Sequence, residues 1–350
     1  MTDPRRARRL LLLALAAVVA VAAAGSMPCA EAQAPIVVRM ATLVPDGSSW
    51  HLILKESADK WKQVSGGRVT VRLFPGGVAG DDPDVVRKMR LGTLNGGVLT
   101  SVGVAELDKS VYAMGIPLMY ESYEEVYWVH EKMRPKLEAS LEAKGFIVLN
   151  WADGGWVHFF TQKPVAVPED LRKLKLFSWA GDAQAVEVWR SAGFNPVPLP
   201  STEISTALQT GLVEALGSPP QVAVISQFFN HARYMTDLRW QLLQGATIIS
   251  KATWEKIPAD VRPALLKVSQ EDGVRLQKEV REAEARDVEA MKKRGLTVVP
   301  VSAAQKAQWQ KLTESIYPRI RGQVVPAEAF DEAMRYRDEY RKQRGAAAGR

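Results

Sequence analysis

Hydrolytic chemistry needs a nucleophile beside a base, and the four histidines of this 350-residue chain, His51, His130, His158 and His231, fall into no pattern that supplies one. Neither H-E-x-x-H nor G-x-S-x-G occurs, and the glycine-rich stretch "GGVAGDD" lacks the lysine of a phosphate loop and reads as a turn. Asp81, Asp82 and Asp84 are close enough to suggest a metal site, yet helix N-caps account for them equally well. Catalytic residues and metal ligands are therefore expected to be absent. The residues that stand out are aromatic: Trp50, Trp151, Trp156, Phe177, Trp179 and Trp240 all fall near turns or chain crossings. Large aromatics mostly fill cores, but the C-terminal ends of strands in α/β sheets and the clefts between domains are where small ligands bind.

The elements that would position them read as an α/β chain. "PIVVRMATLV" is a β-rich run closed by Pro45-Asp46-Gly47, after which Ser48 or Ser49 caps a helix with Trp50, Ile53, Leu54, Ala58 and Trp61 at helical spacing. "GGRVTVRLFPGG" alternates Val69, Val71 and Leu73 inward; "DPDVVRKMRLG" is a capped helix and "NGGVLTSVGV" a further strand. That strand–helix alternation predicts a parallel sheet covered on both faces. The extended segment "FIVLNWADGGWVHFFT", 146–161, is broken by Asp153-Gly154-Gly155, as in a hairpin, a bulge or a crossing between domains. After Trp240, "GATIISKATWEKIP" returns to the first sheet, and one amphipathic helix runs from Ala259 to Arg294, too long for a single small domain. The chain ends in a polar tail expected to be poorly ordered.

Its beginning reads as an export signal: Arg5, Arg6, Arg8 and Arg9, an apolar run from Leu10 to Ala24, and Ala30-Glu31-Ala32 as a small-x-small cleavage site. Removing residues 1–32 takes four of the 46 basic and two of the 39 acidic side chains, leaving a net charge of +5, and it removes the single cysteine, Cys29. Disulfides and cysteine chemistry are excluded from the remainder. Its positive charges are interleaved with acids on helix faces, which does not make a nucleic-acid stripe.

The stretch "PEDLRKLKLFSWAGDAQAVEVWRSAGFNPVPLPSTEISTALQTGLVEALGSPP", 168–220, resembles the DctP-type solute-binding proteins of tripartite ATP-independent periplasmic (TRAP) transporters. "GGRVTVRLFPGG", "VRKMRLGTLNGG", "IPLMY" and "KATWEKIPADVRPAL" support the likeness, which covers roughly residues 36–320. The resemblance implies a two-domain periplasmic binding protein fold of α/β class with crossing hinge strands and a long domain-spanning helix. The expected division is a signal peptide at 1–32, domain I at 33–155 plus 245–275, domain II at 156–244 plus 276–340, and a disordered tail at 341–350. It also implies a periplasmic receptor that closes on a small organic ligand, needs no cofactor, and hands the ligand to the small and large subunits of a membrane permease. Some relatives use a helical-repeat protein as an additional periplasmic partner.

Family members that take carboxylates carry an arginine in a strand similar to "LKIRV", and here that position is Phe177. A second family arginine, in a stretch like "GGFRHFT", aligns with Val157, and an asparagine after a motif like "QTGVVDG" aligns with Ser218. Burying a carboxylate opposite Phe and Val would cost several kcal/mol. The expected ligand is therefore mostly apolar or aromatic, held by Trp50, Trp151, Trp156, Phe177 and Trp179, with Ser101, His158 and Ser218 as hydrogen-bonding groups and Trp240 at the crossing. The alternatives are a carboxylate receptor using Arg72, Arg90 or Arg239, a sensor, or an enzyme pairing His158 with Asp153 or Asp182.

Overall fold

The computed structural model describes residues 34–348; the expected signal peptide lies outside them. Ten strands form one mixed sheet: β1 (Ile36–Thr42), β2 (Val69–Phe74), β3 (Gly96–Thr100), β4 (Phe146–Thr161), β5 (Lys175–Trp179), β6 (Asn195–Leu199), β7 (Ala215–Ser218), β8 (Tyr234–Thr236), β9 (Gln241–Ser250) and β10 (Thr297–Val299). Their order is β2-β1-β3-β9-β4-β7-β5-β6, with β8 leaving from β4 and β10 from β8. β1 is parallel to β2 and β3, and β5 is parallel to β6 and β7, as the strand–helix alternation predicts. The pairings of β9 with β3 and of β4 with β9, β7 and β8 are antiparallel.

β4 and β9 join two halves of the sheet, each with its covering helices a lobe. The first half of β4 pairs with β9, which pairs with β3; the second half pairs with β7 and β8. Two register shifts, at Val148/Asn150 and Asp153/Gly155, interrupt the β4–β9 ladder. Gly155 takes φ +94°, a left-handed conformation that side chains disfavour, so the second shift sits where glycine permits it.

Each lobe has its own core. Val38, Met40, Trp61 and Leu265 fill the back of the first lobe, while Phe160, Phe177, Phe229 and Met291 belong to the second. Leu265 and Met291 come from one helix, Arg262–Lys292, whose 31 residues span about 46 Å. Pro263 sits in its first turn, where its missing N–H costs nothing. The helix crosses β4 at Gly273, where an added Cβ would lie 2.9 Å from both the Asn150 Cβ and the Trp151 carbonyl oxygen.

The C-terminal region departs from expectation. Helix Ala327–Ala348 occupies the segment expected to be a disordered tail from Arg341, and the Arg341 Nε donates to Glu125 Oε1 at 2.5 Å. Phe330 and Ala333 pack with Val126, Val129 and Met133 of helix Tyr123–Ala143. The last helix thus packs on helix Tyr123–Ala143. A buried carboxylate and an apolar helix face supply the reason, since both need a partner to bury.

Candidate functional site

A cavity of about 610 Å³ opens between the lobes, with β4 and β9 passing through its wall. Helix Ser49–Val64, capped by Ser48 accepting from the His51 N–H at 3.2 Å, carries Trp50 to it. The start of helix Ser101–Ala105 brings Ser101, and β4 and β9 bring Asp153, Val157, Gln241, Gln244 and Thr247. From the second lobe come Phe177 and Trp179 at the end of β5, Ser218 at the end of β7, and Asp182 at the start of helix Ala183–Ser191. The Phe177 and Trp179 rings meet edge to face, 5.4 Å apart at 67°, and Trp240 stacks on Trp189 at 5.6 Å.

Seven of the ten residues expected at the site line this cavity: Trp50, Ser101, Val157, Phe177, Trp179, Ser218 and Trp240. Trp151, Trp156 and His158 do not. Beyond the bulge, alternate residues of β4 face opposite sides, so Val157 and Phe159 line the cavity while Trp156 and His158 turn away. Trp156 is 1% exposed and packs on Tyr123. The His158 Nδ1–H donates to the Thr236 carbonyl at 3.1 Å, and burial lowers its pKa. Trp151 packs against His130 and donates its indole N–H to Glu138 Oε1 at 3.0 Å. An acid–base pair of His158 with Asp153 or Asp182 is not assembled, because only the two carboxylates line the cavity.

No arginine, lysine or histidine is among the described residues lining the cavity; Asp153 and Asp182 are its charged members. The three arginines considered as substitutes lie elsewhere. Arg72 stacks over Phe74, Arg90 donates to the Glu106 carbonyl at 2.9 Å, and Arg239 is paired with Glu284 at 3.5 Å. Asp153 is 6% exposed, accepts from the Tyr127 hydroxyl and the Gly155 N–H, and has its pKa pushed up to about 6 by burial, against the opposing pull of Tyr127 and of the Arg281 charge. Three lining residues, Trp50, Trp179 and Thr247, keep a buried indole N–H or hydroxyl without a protein partner. Gln244 and Thr247 carried no sequence signal for this position; they reach the wall through the pairing of β9 with β4, Thr247 opposite Asn150 and Gln244 opposite Asp153.

Two loops meet between the lobes. Asp81, 7% exposed, accepts from the Ser201 N–H at 2.7 Å and the Ser201 hydroxyl at 2.8 Å while also accepting from the Asp82 N–H at 2.8 Å. Asp82, fully buried, accepts from the Thr100 N–H and hydroxyl, and burial raises its pKa to about 7.

The model of bacterial extracellular solute-binding protein family 7 (DctP) matches residues 40–323. The chain belongs to this family. It is 25% identical over 253 residues to the 2,3-diketo-L-gulonate-binding periplasmic protein YiaO of Escherichia coli, covering 72% of this chain and 77% of that protein. It is 25% identical over 321 residues to the C4-dicarboxylate-binding periplasmic protein DctP of Rhodobacter capsulatus, covering 89% and 94%. The structure of a TRAP periplasmic solute-binding protein from Sulfurospirillum deleyianum with bound succinate superimposes with a TM-score of 0.79 at 21% identity, over 87% of this chain and 98% of that one. The fold is the two-domain α/β fold of TRAP solute-binding proteins, and the DctP family consists of receptors, not enzymes. Among the described residues, no helix of this solute-binding protein is long and apolar enough to cross a membrane.

Proposed function

We propose that this DctP-family receptor captures a mostly apolar or aromatic organic ligand between its lobes and delivers it to a TRAP permease of one small and one large membrane subunit. The observation that carries the ligand class is the cavity wall itself: Phe177 and Val157 stand where the resemblance expects arginines, and no cationic side chain replaces them among the described lining residues. Trp50, Trp179 and Trp240 supply broad apolar faces, and Ser101 and Ser218 supply hydrogen bonds. Unpartnered buried donors at Trp50 and Trp179 favour a ligand that also offers acceptor oxygens, since an unsatisfied buried donor costs about 1–3 kcal/mol.

The YiaO and DctP relatives and the succinate-bound structure are named for acids, and they favour the second reading, a carboxylate ligand held by polar groups alone. The two readings separate by calorimetry with succinate and with neutral aromatic and lipid-like compounds on one protein preparation. Binding of a neutral aromatic or lipid-like compound with succinate silent is expected; micromolar succinate binding would overturn the apolar reading. Residues 1–32 serve export to the periplasm in this account, and rotation of the lobes is absorbed where β4 and β9 cross, near 151–156 and 240–245. A helical-repeat partner would suit an apolar cargo, which needs shielding from water in transit.

A further inference from the structure

We propose that the cavity is built for an organic cation: an amine carried on an aromatic or apolar body, its charge held at Asp182 and its body against Phe177 and Trp179. The inference rests on the reading of the interlobe cavity as the ligand site. Its first support is the sign of the wall, two carboxylates with no lining cation among the described residues. The two acids are not equivalent. Asp153 has Arg281 behind it, the guanidinium stacked on Tyr127 at 4.4 Å, and shares a hydroxyl proton with that tyrosine. Asp182 forms no ion pair within 4 Å among the described residues; it accepts from the Ala185 N–H at 3.0 Å, a helix cap that leaves lone pairs free.

Further carboxylates, Glu106 and Asp82, approach this region from the first lobe. Tyr112, which lines the cavity, has its hydroxyl proton held more tightly by burial and then by Asp182, Glu106 and Asp82. Lys109 donates to Gln184 Oε1 and Arg90 to the Glu106 carbonyl, and neither forms an ion pair with Asp182. Aromatic placement is the second, independent support. Trp179 lies one turn before Asp182, its carbonyl accepting the Asp182 N–H at 3.1 Å, and Phe177 packs edge-on to its ring. An ammonium set between a carboxylate and aromatic faces gains from both the ion pair and the rings' negative faces, most where water is excluded. Thr247, 7% exposed with an unpartnered hydroxyl, adds a group able to accept an N–H.

A matched trio of probes tests the inference by calorimetry on the exported protein: tryptamine, indole-3-ethanol and indole-3-propionate differ mainly in charge. Tryptamine is expected to bind about 10- to 100-fold tighter than indole-3-ethanol, the range of one charge-assisted contact. Asp182→Asn, which preserves helix capping, should remove most of that advantage. Equal affinity of tryptamine and indole-3-ethanol would overturn the cation while leaving the apolar reading intact. Tightest binding of indole-3-propionate would overturn both, and no binding by any of the three would overturn the aromatic amine while leaving the apolar reading to the lipid-like compounds. An advantage for tryptamine that survives Asp182→Asn and is lost in Asp153→Asn would overturn the placement at Asp182.

Discussion

Asp81 and Ser201 join the two lobes by hydrogen bonds, so if the receptor closes by lobe rotation as proposed, Ser201→Ala should loosen closure. The substitution deletes the hydroxyl bond at 2.8 Å and leaves the backbone bond at 2.7 Å and the Asp82 N–H bond in place. A hydrogen bond to a charged acceptor contributes about 1.5–3 kcal/mol, and in the open form Asp81 and Ser201 would both be hydrated instead. The closed-to-open ratio should then fall roughly 10- to 100-fold. If the unliganded receptor is mostly open, the apparent Kd for its best calorimetric probe rises by the same factor. If it is mostly closed, affinity moves little and the radius of gyration of the unliganded variant increases instead. Calorimetry and small-angle scattering on wild type and variant read both arms. Unchanged Kd together with an unchanged scattering profile would refute the latch. Asp81→Asn should exceed Ser201→Ala in effect, because its amide cannot accept from both Ser201 donors.

Asp82 makes stability depend on pH. Its folded pKa of about 7 lies above the ordinary 3.8, so the folded chain holds a proton that the unfolded chain has released. Stability therefore falls as pH rises from about 4 to 7 and levels off above, by an amount on the order of 4 kcal/mol. Asp82→Asn should flatten that slope in thermal melts, and equal slopes would count against it. Arg341→Ala should destabilise by about 1–3 kcal/mol, because it strips Glu125, 2% exposed, of its guanidinium; the partly exposed arginine keeps the loss below that of a fully buried pair. An unchanged denaturant midpoint would mean that the terminal helix is not docked there. Gly273→Ala should cost about 1–3 kcal/mol through crowding against Asn150 and Trp151, and a variant as stable as wild type would show that the long helix can shift on β4.

Local pattern carried much of this molecule. The alternation of Val69, Val71 and Leu73, the Ser48 cap before Trp50 and the 31-residue helix follow from neighbours in the chain, and each element lies close to where its residues placed it. Phe177, Trp179 and Asp182 also follow from one short stretch, since a strand end, a turn and a helix start put them on one wall. Trp156 and His158 could not be placed that way. Strand residues alternate, and a single register shift at Asp153/Gly155 exchanges the faces, so the bulge decided that Val157 lines the cavity and its two neighbours do not. The docking of the last helix was equally hidden, because Arg341 finds Glu125 across 216 residues of chain. What the sequence by itself determined was the elements and the family likeness. The tertiary structure alone decided the sign of the cavity, because charge at a site depends on which side chains converge there, and convergence is a property of non-local packing.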